Sequence, residues 1–260
     1  MEEERKQPPG RPPKNVPKRL VARNFRMAWC GTVTLHDEDA NAIESIRYGS
    51  MPGGDVQQLC GRMAVDVLQL PQRRPDLTVE LLADGAHEMW NLLEAHFPED
   101  VFGKTRSRVD FWHTIENLSA AAKVLHGDKE RQLTVNRWKH RLKRCTKAVE
   151  EILVELRISG KELIRVGESR PVHEAITYLE NHRHRMNYAA ARKADLPIGS
   201  GNVETICKSL FQVRMKRAGA RWHEETGENI VQLRALALSD HWGSEMDKFA
   251  TTQRTAVRVA

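Results

Sequence analysis

The 260-residue chain has little that would cross-link it, hold it in lipid or mark a metal cage. Its four cysteines, Cys30, Cys60, Cys145 and Cys207, are far apart in sequence, with no Cys-x-x-Cys pair and no histidine at zinc spacing. That excludes a disulfide framework and a structural zinc site and predicts reduced thiols in core-like positions. No apolar run approaches the ~20 residues of a membrane helix. The start, MEEERKQPPGRPPKN, is unlike a secretory leader, so the expectation is a soluble cytoplasmic chain with no membrane partner. One sign of charge is missing over a long stretch: residues 5–36 contain no Asp or Glu.

Forty per cent of the residues are hydrophobic and 29% charged, the balance of a chain with a real core rather than a disordered one. The net charge of +6 permits a polyanionic partner without naming one. It is unevenly spread. From Arg183 to Arg221 nine Lys and Arg face two acids, Asp195 and Glu204, so this segment alone holds an excess of seven and the remainder is close to neutral. A solvated helix face rarely concentrates charge so strongly, whereas a surface that tracks phosphates does.

Residues 1–24 set Pro8, Pro9, Pro12, Pro13 and Pro17 among basic side chains, which predicts a basic, disordered tail. Alternating apolar residues at 25–35 and in AIESIRYG (42–49) predict two strands around the turn HDEDAN. Asp55 is placed to cap a helix bearing Val56, Leu59, Cys60, Met63 and Val67. LTVELLA (77–83) predicts a buried strand, His87–His96 a helix, and Arg108–Val109 a further short strand. From Thr114 to Ala194 the pattern is helical, with Val135 to Leu156 reading as one long amphipathic stripe. The loop LPIGSGN (196–202) precedes a helix over VETICKSLFQVRMK, and 243–260 reads as a tail. Strands and helices in this order predict a mixed α/β domain.

Three positions could carry chemistry. Asp84 ends a buried strand and is followed by glycine, where open α/β sheets place their sites; a turn or cap role suits it equally. Asp110 and His113 put an acid and an imidazole at another strand end, although a buried structural histidine would give the same pattern. Glu204 sits just inside a helix start, where the helix dipole favours a carboxylate in any case, after a Gly-Ser-Gly whose amides could meet an anion. Carboxylates from separate elements beside a basic surface are what two-metal phosphoryl transfer requires.

The segments LLADGAHEMW, FPEDVF, VDFWHTIENLSAAAKVLHGD, HRHRMNYAAARKADLPIGSGNVETICKSL, RMKRAGARW and LRALALSDHW, spanning about Asn24 to Trp242, resemble bacterial insertion-sequence transposases of the ISKra type, DDE enzymes related to the mutator-like group. The resemblance implies a ribonuclease-H-like core at 25–113, a helical insertion at 114–195, and C-terminal core helices at 196–242 that carry the third acid. It makes Asp84 the second catalytic acid and Glu204 the third, both as metal ligands for Mg²⁺ or Mn²⁺. Asp110 and His113 become a supporting DxxH motif, and Lys208, Arg214, Lys216, Arg217 and Arg221 a DNA-binding surface for element ends and target. A homo-oligomer is compatible with it. The first strand of such a core and its Asp find no counterpart here, so the expectation is an N-terminally truncated transposase with little or no strand transfer. The alternative is a non-catalytic fragment that binds DNA or intact transposase and so regulates transposition.

Overall fold

The computed structural model describes residues 27–70, 74, 76–103, 105–216 and 222–259. The described residues are mixed α/β and 61% helical, and among them are two sheets of two strands each.

The first sheet is an antiparallel hairpin of β1 (Trp29–His36) and β2 (Ala42–Ser50). Its turn is closed by Asp37, whose Oδ1 accepts from the amides of Asp39 (3.0 Å) and Asn41 (2.7 Å), the local bonding that makes Asp a turn former. Both faces are covered. Trp29, Val33, Ile46 and Tyr48 pack on the helix α1 (Val56–Leu68), and Cys30 and Met51 join a cluster of Leu210, Phe211 and Val231 on the other side. Asp55 caps α1 as expected, accepting from Gln57 N at 2.8 Å.

The second sheet is a parallel pair, β3 (Val79–Ala83) and β4 (Thr105–Val109), connected through α2 (His87–His96) and α3 (Glu99–Phe102). The strand predicted at 77–83 begins two residues later, and the one predicted at Arg108–Val109 extends back to Thr105.

Among the described residues, every element after β4 is a helix, apart from one isolated bridge between Val166 and Ser169. Helix α4 (Phe111–Leu142) breaks at Gly127, whose φ of 71° only glycine takes at little cost, and its second arm returns toward the first. The stripe from Val135 to Leu156 is two helices, because α4 stops at Leu142 and α5 (Ala148–Ile158) starts afresh. Their buried side chains, Trp138, Leu142, Val149, Ile152 and Leu156, share one core with the parallel strands. Helix α6 (Pro171–His182) packs on α4 and is followed by α7 (Tyr188–Lys193). The stretch expected as one helix after the loop is α8 (Gly201–Cys207), a wide π turn at Lys208–Gln212 and the short α9 (Val213–Met215). Helix α10 (Glu224–Leu238) covers the hairpin. The segment read as a tail forms α11 (Trp242–Val259), whose apolar residues repeat at Trp242, Met246 and Phe249. The proline-rich 1–24 lies outside the described residues.

Candidate functional site

Parallel pairing sets Ala83 opposite Val109, so the next residue of each strand, Asp84 and Asp110, emerges at the same end of the sheet. The Asp110 amide donates to Ala83 O at 2.8 Å and fixes that alignment. The two acids then meet different environments.

Asp84 is exposed. Its Oδ1 accepts from Ala86 N at 3.0 Å, a turn contact that does not engage the second oxygen. The turn is held from behind. Buried Trp90 donates Nε1–H to Asp84 O at 2.7 Å, and His182 Nε2 meets Gly85 O at 3.1 Å. A Cβ on Gly85 would come within 2.2 Å of the Tyr178 ring, so glycine is needed for close approach by α6. Burial, above all, pushes the Tyr178 phenol up to about 12, and the charges of Asp84 and Asp110 act in the same direction.

Asp110 is almost fully buried, at 1% exposure, and fully engaged. Its Oδ1 caps α4, accepting from Trp112 N at 2.6 Å and His113 N at 3.0 Å, and its Oδ2 accepts from Ser200 N. Burial opposes its charge, yet the donors from Ser200, His113 and Trp112 outweigh it and hold the carboxyl below the usual range. The Ser200 amide, read as free to meet an anion, is therefore taken by this carboxylate. His113 is not the buried histidine considered from sequence. It is 43% exposed and pairs with Glu116 at 3.2 Å.

The loop 196–200 is fastened to the β4–α4 junction at further points. Phe111 N donates to Ile198 O at 2.8 Å, and Arg108 Nη1 donates to Pro197 O at 3.0 Å. Arg108 also pairs with Glu80 at 2.5 Å, both side chains being largely buried. The loop leads straight into α8, with Glu204 exposed in its first turn. Asp110 thus acts by positioning: it caps one helix and anchors the loop that starts the helix bearing Glu204.

Asp84 and Val203, the neighbour of Glu204, line one cleft of about 130 Å³. Its walls are Trp29, Cys30 and Thr32 of β1, Leu82 and Ala83 of β3, and side chains of α1 and α2. Consecutive strand residues, whose side chains point to opposite faces, line it together, so the strands meet the cleft edge-on. No ladder joins β1 to β3 among the described residues. Asp84 is the one carboxylate among the lining residues, and the described residues contain no group of three His, Cys, Asp or Glu able to hold a metal ion. The donors present therefore do not fit a two-metal centre.

Of the basic segment, Lys208, Arg214 and Lys216 are exposed beyond Glu204, while Arg217 and Arg221 lie outside the described residues. Two of the four dispersed cysteines meet: Cys30 on β1 and Cys207 on α8 pack on the same apolar cluster, and burial followed by the neighbouring Cys207 pushes the Cys30 thiol up to about 12. Nothing in their spacing of 177 positions announces it. Tyr178 and His182, supplied by the helical segment to the back of the Asp84 turn, also escaped the sequence reading; their only signal was a place on an amphipathic helix. No family model, curated protein or solved structure matches the chain.

Proposed function

We propose that this chain is the DNA-binding core of an insertion-sequence DDE transposase, ribonuclease-H-like in plan, which engages DNA without completing strand transfer by itself. The observation that carries the reading is the meeting of three separated segments at one sheet end. Asp84 and Asp110 emerge side by side from parallel strands, and Asp110 anchors the loop that delivers Glu204. Ligand sites of open α/β sheets lie at such strand ends. The helices between β4 and that loop occupy the place of an insertion separating the second acid from the third.

In this reading Asp84 and Glu204 are the acids that would face the reacting phosphate, and Lys208, Arg214 and Lys216 follow the DNA backbone. Asp110 is a positioning residue. No metal-dependent step is assigned to this chain, because the cleft offers one carboxylate and no converging third donor among the described residues. A non-catalytic role as a regulator is favoured by the β1 and β3 edges that border the cleft. No strand among the described residues joins those edges, and open edges take up strands from other polypeptides.

The test has two arms on the full chain. Incubation with duplexes bearing the element ends and Mg²⁺ or Mn²⁺ should give no joined product, and robust joining would overturn the non-catalytic part. Binding to the same duplexes should weaken steeply with salt and survive Asp84→Ala with Glu204→Ala. Absence of salt-sensitive binding would overturn the whole reading.

A further inference from the structure

The break at Gly127 folds the second arm of α4 back onto its own start. The returning arm lays Lys139 Nζ 5.2 Å from the Trp112 ring centroid. Just past its end, Lys143 Nζ lies 5.5 Å from the same ring and 4.8 Å from that of Phe111. Trp112 is 47% exposed, a large aromatic left at the surface. Arg192, exposed on α7, completes the group. It is close enough that, after burial, its charge and that of Lys139 depress the Lys143 pKa.

None of the three cations has a carboxylate partner among the described residues. Of the acids adjoining Trp112 in sequence, Glu116 pairs with His113 and Asp110 is committed to backbone amides. Ring faces hold the lysines in place but do not neutralise them. Two lysines held on an exposed indole, with a third mutually repelling cation beside one of them, are poorly arranged for stability and well arranged for an anion with several charges. The position matters too. A Cβ on Gly199 would stand 3.0 Å from Trp112 Cδ1, so the platform abuts the loop leading to Glu204.

We propose that Trp112, Lys139, Lys143 and Arg192 form a second contact for the phosphodiester backbone of duplex DNA, on the helical segment and separate from Lys208–Lys216. The inference rests on the reading of the chain as a DNA-binding core. It adds that the helical segment grips the substrate as well as bracing the Asp84 turn.

The experiment is fluorescence anisotropy of the full chain with a labelled duplex of about 30 base pairs across a salt series. Removing one phosphate-binding cation should flatten the slope of log affinity against log salt by roughly 0.9. Lys139→Gln with Lys143→Gln should weaken binding about tenfold at moderate salt and flatten the slope by about two, while Lys139→Arg with Lys143→Arg retains both affinity and slope. Arg192→Gln, an exposed position that perturbs no packing, should flatten it by about one and keeps the test open if the double variant melts early. Unchanged slopes in these variants, with Lys208→Gln and Arg214→Gln still weakening binding, would overturn this site and leave the DNA-binding core standing. A wild-type chain with no salt-dependent binding would overturn both. Displacement of the duplex by ATP at matched phosphate concentration would reassign the platform to small nucleotides and likewise overturn the proposal.

Discussion

The hairpin β1–β2 and the parallel pair β3–β4 each contain two strands, yet they are stabilised by different means. The hairpin is local in sequence and gains its stability from both faces. Apolar residues alternate onto α1 and onto the α10 side, and a turn closed by Asp37 sets the register. Its outer edge is covered as well. Ser45 N donates to Asp240 Oδ2 and Arg47 N to Ser239 Oγ, each at 2.8 Å, so the end of α10 occupies the ladder positions of β2. The parallel pair is non-local, needs a crossover and must be buried. It carries a buried ion pair at its middle and its acids at one end. The lesson is a division of labour: the hairpin is an apolar support, and the polar interactions that position the site are concentrated in the parallel pair.

The largest effect that would break this contrast is expected at Arg108. Arg108→Met leaves Glu80 buried without its partner and, above about pH 7 where Glu80 is ionised, should cost about 3–5 kcal/mol, read by denaturant unfolding. A hairpin change of equal size from a single edge substitution would argue against the contrast. The same pair gives a pH signature. Burial, ahead of the opposing charges of Arg108 and Arg106, raises Glu80 to about 7. The folded chain thus holds a proton there that the unfolded chain has released above about 4.5. This contribution to stability is full below that value and is lost as pH rises through about 7. Glu80→Gln should remove that part of the pH dependence, as followed by thermal melting across pH 4–8.

Next comes Asp110→Ala, which removes a helix cap and the clamp on Ser200 together. It should cost about 2–3 kcal/mol and raise amide exchange across 196–200 while the hairpin amides stay protected. Gly85→Ala drives a methyl into the Tyr178 ring and should cost about 1–3 kcal/mol. Adding Tyr178→Ala should recover part of that loss in a double-mutant cycle, which shows whether α6 sets the turn. The smallest effect is at the hairpin edge: Asp240→Ala should cost about 1 kcal/mol and raise exchange at Ser45 alone.

Legibility followed the range of the interactions. Asp55 as a helix cap, the helix at His87–His96, and the strand ends at Asp84 and Asp110 were readable because caps, helical spacing and strand alternation act over a few residues. The break between Leu142 and Ala148 was hidden, since the apolar stripe runs on in helical phase across a short polar gap. The π turn after Cys207 and the helix at Trp242–Val259 were missed for the opposite reason: composition there is ordinary and the local signal weak. At the site, Asp84 and Glu204 were visible as types at suggestive positions. The commitment of Asp110 to Ser200, 90 residues away, was not.

By itself the sequence determined most of the elements, the concentration of positive charge after Arg183, and the candidate acids at strand and helix ends. These follow from periodicity, capping and composition, which are properties of neighbours along the chain. Only the tertiary structure decided which of them meet. Parallel pairing aligned Asp84 with Asp110, and one buried carboxylate tied a distant loop to that sheet end. The return of α4 at Gly127 carried two lysines back to Trp112. Each of these joins residues far apart in sequence, and their partners were selected by burial and hydrogen bonding in the folded core, which no local pattern encodes.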